Sequence, residues 1–389
     1  VLGYPEWSEG LEAGIAAHHA GLVPAYRETV EECFAAGLLR VVFATETLSL
    51  GINMPARTVA IERFSKFGAA GKAGLTSGEY AQLTGRAGRR GLDAEGHAVV
   101  LWSPETTVAE VARIALAPPP DLRSTFRPTY NLAVNLVRRF DRPTALQVLR
   151  RSFAQWQDAK LDHRRDTLAE HLGRRLAVLE ELGYVTGWQL TDAGRRLSRL
   201  YHEADLLVAE AIAGDELRGA EPSVLAGVLS AVVFERRRVR QVDRAGRAWA
   251  HRDDRRRDPP RRRHAGGDRV GEARRNDLAR RLALLSDSAE RIRALEEVHL
   301  VPRTRQPEAG LATAVASWAR GAPLSTVLAV AAGEGEVAPG DFVRTVKQLA
   351  DIAGQVAQVA DDPMTAASAR HAMEALLRDV VAAGSGPHA

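Results

Sequence analysis

The run Gln82-Leu83-Thr84-Gly85-Arg86-Ala87-Gly88-Arg89-Arg90-Gly91 combines one amide with arginines spaced four and then three residues apart. On a helix, Gln82, Arg86 and Arg89 fall on one face, because positions i, i+4 and i+7 return to the same side. Arg90 would be turned about 100° away from Arg89. Two guanidiniums and an amide on one face suit the oxygens of a triphosphate and an attacking water. Arginine serves better than lysine there, because its planar fork meets phosphate oxygens two at a time. Gly85 and Gly88 leave room for another backbone to approach, and Gly91 is free to end a helix in the left-handed region. A merely solvated basic helix end does not require that glycine spacing. Gln82, Arg86 and Arg89 are therefore the predicted catalytic and nucleotide-binding residues.

Two further runs precede this one. Phe43-Ala44-Thr45-Glu46-Thr47-Leu48-Ser49-Leu50-Gly51-Ile52-Asn53-Met54-Pro55-Ala56 follows directly on the strand-like Leu39–Thr45. Ligand loops of open α/β sheets lie at the carboxyl ends of strands, where this run falls. Thr45, Thr47 and the Gly51 amide are predicted donors to nucleic-acid phosphates, and Asn53 a partner for a nucleotide ribose. Taken alone, the run also reads as an ordinary strand-to-helix connection. His18-His19-Ala20-Gly21-Leu22 comes earlier still. Paired histidines suggest metal, but no cysteine or carboxylate flanks them at ligand spacing. A loop that contacts phosphate through His19, or braces the site, is the better reading.

The elements that must hold these runs alternate between helix and strand over the first hundred residues. Arg27–Leu38 reads as a helix after Pro24, with Val30, Phe34 and Leu38 on one stripe. Leu39–Thr45, Thr58–Ile61 and Gly96–Trp102 read as strands. Ser77 is positioned to cap a helix that starts near Glu79 and stops around Gly91. Strands separated by helices predict a parallel sheet covered on both faces. After Pro118-Pro119-Pro120 the pattern turns helical. Asn131–Phe140 and Thr144–Trp156 are amphipathic. Leu172–Gly183, a hairpin over Tyr184–Leu190 and Thr191–Tyr201 give helix, hairpin, helix, an order compatible with a winged-helix-type unit. Asp205–Ala213 and Glu221–Glu235 continue as helices.

Hydrophobic residues are 45% of the 389 and charged residues 26%, which a soluble globular chain with several cores accommodates. Cys33 is the single cysteine, so an internal disulfide is excluded and a reducing, cytoplasmic setting is expected. No run reaches the roughly 18 apolar residues of a membrane span. Four basic residues are lysine and the rest arginine, for a net charge of +4. The arginines concentrate: Glu235–Arg275 holds 16 against 7 acidic residues. Residues 236–276 are thus read as a basic insert without apolar periodicity, either an arm gripping phosphates or a disordered, solvated segment.

In order and spacing, the three runs resemble the second motor domain of superkiller-like DExH RNA helicases of superfamily two, most nearly the actinobacterial HelY-like branch. The resemblance extends through Ser124-Thr125-Phe126-Arg127-Pro128-Thr129-Tyr130-Asn131, Ser152-Phe153-Ala154-Gln155-Trp156-Gln157 and Leu182-Gly183-Tyr184-Val185 to Gly340-Asp341-Phe342-Val343-Arg344. It implies a mixed fold: a RecA-like α/β parallel-sheet domain (1–103), a mainly α winged-helix-like region (104–200) and a C-terminal helical bundle (201–235 and 277–389), with 236–276 outside the pattern. It also implies that Gln82, Arg86 and Arg89 contact ATP phosphates, with Arg89 or Arg86 as the transition-state finger. Thr45 and Gly51 would touch the RNA backbone, and Asn53 would sit near the ribose. The family's large arch insertion would fall between Gln157 and Leu172, an interval that is short here.

The sequence has no G-x-x-x-x-G-K-[ST] loop and no Asp-Glu-x-His box. Gly68-Ala69-Ala70-Gly71-Lys72-Ala73 has neither the spacing nor the hydroxyl. The expectation is the C-terminal part of an ATP-dependent RNA helicase, whose missing N-terminal RecA-like domain holds Mg2+ and faces the ATP. RNA, single-stranded or as a tailed duplex, is the expected partner, with RNA-degradation machinery a further one. The rivals are a DNA helicase or repair motor, and a nucleic-acid-binding fragment without catalysis.

Overall fold

β-branched and apolar residues recur where the sequence predicts strands, and the short strands form there. A computed structural model describes residues 4–45, 54–68, 71–89, 91, 93–118, 120–160, 167–235, 269–332 and 337–382. Its first part runs α1 (Tyr4–Glu12), β1 (Ile15–His18), α2 (Pro24–Ala35), β2 (Val41–Ala44), β3 (Thr58–Ile61), β4 (Ser65–Gly68), β5 (Gly71–Gly74), α3 (Ser77–Thr84), β6 (His97–Val100) and α4 (Val108–Ala115). β1 pairs with β2 in parallel, and β3 pairs with β6 in parallel. β4 and β5 form an antiparallel hairpin that the sequence pattern did not indicate.

The expected sheet covered on both faces is corrected in one respect. Among the described residues the parallel strands form two separate pairs, each with its own small core. Ala16, Val30 and Leu39 fill one core, and Ile61, Phe64, Leu75 and Ile114 fill the other. The opposite faces stay open: Phe43 is 65% exposed, and Ile15, Val41 and Val99 are exposed as well. Among the described residues, no element covers these faces. The predicted stripe of α2 also shortens. Val30 is fully buried, but the helix stops at Ala35 and Leu38 lies outside it, exposed.

The rest is helical: α5 (Tyr130–Arg139), α6 (Arg142–Arg150), α7 (Phe153–Lys160), α8 (Leu168–Glu181), strands β7 (Val185–Thr186) and β8 (Gln189–Leu190), α9 (Asp192–Leu197), α10 (Asp205–Ala213), α11 (Pro222–Val233), α12 (Arg269–Val298), α13 (Ala312–Ala319), α14 (Leu324–Ala332), α15 (Pro339–Val359), α16 (Pro363–Leu376) and α17 (Asp379–Ala382). The single helix predicted over Thr144–Trp156 is two, broken at Arg151 and Ser152. The helix–hairpin–helix order is present as α8, β7–β8 and α9. Of the basic insert, 236–268 lies outside the described residues. Its last part is already helix, since α12 begins at Arg269.

One large core joins α5 to α17, with Leu225 and Leu229 of α11, Trp318 of α13 and Phe342 and Val346 of α15 fully buried. Several polar groups buried in it are paired, as burial favours. The Tyr130 hydroxyl donates to Glu296 at 3.0 Å, and the Trp318 indole donates to the Leu376 carbonyl at 3.0 Å. Asn131 ties α5 to the end of α9, donating to the Leu200 carbonyl at 2.7 Å.

Among the described residues, a backbone contact joins the two parts. The Gly340 amide, in the first turn of α15, donates to the Gly21 carbonyl at 2.9 Å. A Cβ on Gly340 would lie 2.1 Å from the Leu22 carbonyl oxygen and 2.4 Å from that of Ala20. Only glycine admits this approach. Val23, at the end of the same loop, belongs to the large core.

Candidate nucleotide and nucleic-acid site

α3 starts where its capping residues place it. Thr76 is the N-cap: its hydroxyl accepts from the Glu79 amide, while the Glu79 carboxylate accepts from the Thr76 amide at 2.8 Å. This reciprocal box, rather than Ser77, opens the helix. The predicted end is corrected too. α3 stops at Thr84 with Gly85 as its C-cap, well short of Gly91. Gln82 is therefore on the helix, Arg86 in the turn after it and Arg89 further along a loop. Gln82, Arg86 and Arg89 thus do not share one helix face; the expected offset of Arg90 concerns a residue outside the described residues.

A distant backbone ends the helix. The Ala56 amide donates to the Arg86 carbonyl at 2.9 Å, and the Gly88 amide donates to the Ala56 carbonyl at 2.7 Å. Ala87 thus forms a parallel bridge with Ala56. Helical geometry past Gly85 would forfeit both bonds. Gly88 turns away at φ 89°, and its Cα side packs on Gly96, where a Cβ would meet the Ala87 carbonyl at 2.6 Å. Gly91 is left-handed as predicted, at φ 80°, but in the loop rather than at a helix end.

Two sequence runs are thereby joined. The end of the Phe43–Ala56 run is clasped to Arg86–Gly88, just before the amino ends of β3 and β6. Thr45, exposed just past β2, donates its amide to the His18 carbonyl at 3.3 Å, which adds the histidine run. Thr47, Gly51 and Asn53 lie outside the described residues. The two histidines have separate partners. His18 is buried, with Nε2 2.7 Å from Glu31 of α2. His19 accepts the Gly21 amide on Nδ1 at 3.2 Å and so shapes the loop that meets α15.

Arg89 is 44% exposed and held fork to fork by Asp93, whose side chain is 7% exposed. Nε donates to Oδ2 at 2.8 Å and Nη2 to Oδ1 at 2.8 Å, while the Arg89 amide also donates to Oδ2 at 2.9 Å. These bonds from Arg89, with Arg57 nearby, hold the Asp93 carboxyl well below the usual carboxylate range. Asp93 lies two residues past the Gln82–Gly91 run and carries no predicted role; its i, i+4 spacing from Arg89 is the available signal.

A loop clasped to an arginine-bearing turn is thus followed by a large helical bundle. Comparison with known families gives these parts their class. Residues 6–91 match the helicase conserved C-terminal domain, and residues 187–383 match the DSHCT (NUC185) domain. The chain belongs to the DSHCT family, carries a helicase conserved C-terminal domain ahead of the DSHCT domain, and is similar to HelY and superkiller-like DExH helicases. It is 60% identical to the probable helicase HelY of Mycobacterium tuberculosis (strain CDC 1551 / Oshkosh), over 40% of this chain and 17% of that protein. It is 37% identical to human Superkiller complex protein 2, over 53% of this chain and 17% of that protein. It is 38% identical to the DExH-box ATP-dependent RNA helicase DExH10 of Arabidopsis thaliana, over 44% and 17%. The matched stretches thus span about a sixth of these curated relatives.

Proposed function

We propose that this chain supplies the second RecA-like domain, a winged-helix-type unit and the helical bundle of an ATP-dependent helicase that translocates on and unwinds RNA. The observation that carries this reading is the Ala56–Arg86–Gly88 clasp. It brings Ala56, at the end of the Phe43–Ala56 run, against the turn that carries Arg86 and follows the helix bearing Gln82; in this reading a partner domain presents the nucleotide beside that turn. The site's side chains are an amide and two guanidiniums. They suit phosphate oxygens, and Mg2+ is assigned to the other motor domain.

In this reading Arg86 and Arg89 neutralise charge that builds on the transferring phosphoryl group, and Gln82 orients the attacking water. Thr45, Thr47, Gly51 and His19 contact RNA phosphates, and Asn53 contacts the nucleotide ribose. The relatives' names, one an RNA helicase, support RNA over DNA. RNA-degradation machinery is proposed as a partner on the likeness to Superkiller complex protein 2.

The test is steady-state ATPase in the complete helicase, with RNA and DNA tailed duplexes compared for unwinding. Arg86→Ala and Arg89→Ala are each expected to lower turnover by about a thousandfold, and Arg89→Lys to rescue only partly. RNA binding without nucleotide should survive. Near-parental turnover in both alanine variants would remove the proposal, and unwinding confined to DNA would replace RNA with DNA.

A further inference from the structure

Arg89 sits on a loop, without a helix face to aim it. A flexible three-carbon arm on a loop is a poor finger, because a displacement of about 1 Å at a reacting centre lowers rate by roughly a hundredfold. What aims it here is a single carboxylate. Asp93 takes the Nε and Nη2 edge of the guanidinium through two 2.8 Å bonds and fixes the Arg89 backbone amide at 2.9 Å. The Asp93 amide in turn donates to the Arg89 carbonyl at 3.0 Å, closing the loop on itself.

The edge that Asp93 uses matters. A guanidinium has five N–H donors. The side-on pair consumes the Nε hydrogen and one Nη2 hydrogen. Three remain, two on Nη1 and one on Nη2, and one from each nitrogen forms the end-on fork. That fork matches two oxygens of a phosphoryl group. Holding the side edge therefore leaves the functional end available and points it away from Asp93. The carboxylate is itself sheltered at 7% exposure, while the guanidinium is open at 44%. This is an arrangement of a fixed base and a presented head.

We propose that Asp93 is the positioning residue that orients Arg89 for phosphoryl transfer. The proposal rests on the reading of Arg89 as a residue that contacts ATP phosphate. It assigns Asp93 an effect on kcat through Arg89 alone, with no contact to ATP or RNA.

The experiment is a double-mutant cycle on the complete helicase, reading kcat, the KM for ATP and thermal stability. Asp93→Ala and Asp93→Asn should each lower kcat by about ten- to a hundredfold, leaving KM within about threefold. Asn keeps the size but not the charge or the second strong acceptor, so it should not rescue. Asp93→Glu keeps the charge and should recover part of the loss. In an Arg89→Ala background, Asp93→Ala should remove less than about twofold more, because a residue acting through Arg89 has nothing left to position. If Arg89→Ala itself leaves kcat intact, the underlying reading of Arg89 fails. If Arg89→Ala collapses kcat while Asp93→Ala and Asp93→Asn do not, or raise it, the positioning role is overturned. Additive losses in the double variant, or a fall in stability that accounts for the rate, would equally overturn it in favour of a structural role.

Discussion

Replacing Gly340 with alanine sets two effects of opposite sign against each other. Intrinsically, alanine is favoured over glycine in a helix by about 1 kcal/mol, chiefly through the unfolded chain. In the structure, the added Cβ would sit 2.1 Å from the Leu22 carbonyl oxygen, 2.7 Å from its carbon and 2.4 Å from the Ala20 oxygen. These are roughly 1 Å inside ordinary contact. The clash is with backbone, so no side chain can swing aside. Either the 20–22 loop retreats, losing the 2.9 Å bond from Gly340 to Gly21, or α15 shifts against the fully buried Phe342 and Val343. Overpacking of this kind costs about 1–3 kcal/mol, and a lost hydrogen bond about 1 kcal/mol more. The steric term wins, for a net loss of about 1–3 kcal/mol after the helix gain. Gly173 of α8 is the control: exposed, with nothing within 4 Å of an added Cβ, it should show only the gain. Amide hydrogen exchange reads the contact directly. In Gly340→Ala, residues 20–23 and the first turn of α15 should exchange about 5- to 150-fold faster, as each 1.4 kcal/mol is tenfold. Gly173→Ala should slow or leave exchange in α8. If Gly340→Ala exchanged like the parent, the approach of loop and helix described above would be wrong.

Two further outcomes follow from the bundle. Asn131→Ala removes the Nδ2 donor that serves the Leu197, Ser198 and Leu200 carbonyls, and should lower urea stability by about 1–3 kcal/mol; Asn131→Asp should lose more, since it sets a carboxylate against three carbonyl oxygens. A change under about 0.5 kcal/mol in both would refute the capping role. Asp205 is 1% exposed, and burial pushes its carboxyl up to about 7, against bonds from the Asn131 and Leu206 amides and the pull of Arg175. The folded chain then keeps a proton that the unfolded chain releases near the ordinary carboxylate pKa. Stability should fall as pH rises from about 4 to about 7 and level off above, and Asp205→Asn should flatten that slope in urea titrations across the window. An unchanged slope would refute the assignment.

Much of the architecture is written locally. The strand Thr58–Ile61 and the helix Asp205–Ala213 have the bounds that their residue patterns predict, and Pro24 and Pro222 open helices as proline in the first turn should. The chemistry-bearing runs were legible as well, because glycines and arginines at fixed spacing carry a local meaning. Geometry at the site was decided elsewhere. α3 ends at Thr84 because Ala56, far earlier in the chain, offers Arg86 and Gly88 better hydrogen bonds than another helical turn would. The carboxylate holding Arg89 is only four residues away, yet its role depends on a loop whose path the helical reading denied. Gly340 looks like a weak helix residue until the carbonyls of Ala20 and Leu22 lie against it. Residue type and spacing determine which local conformations are cheap. Which of them is adopted depends on backbone partners distant in sequence, and only the folded chain brings those within hydrogen-bonding distance.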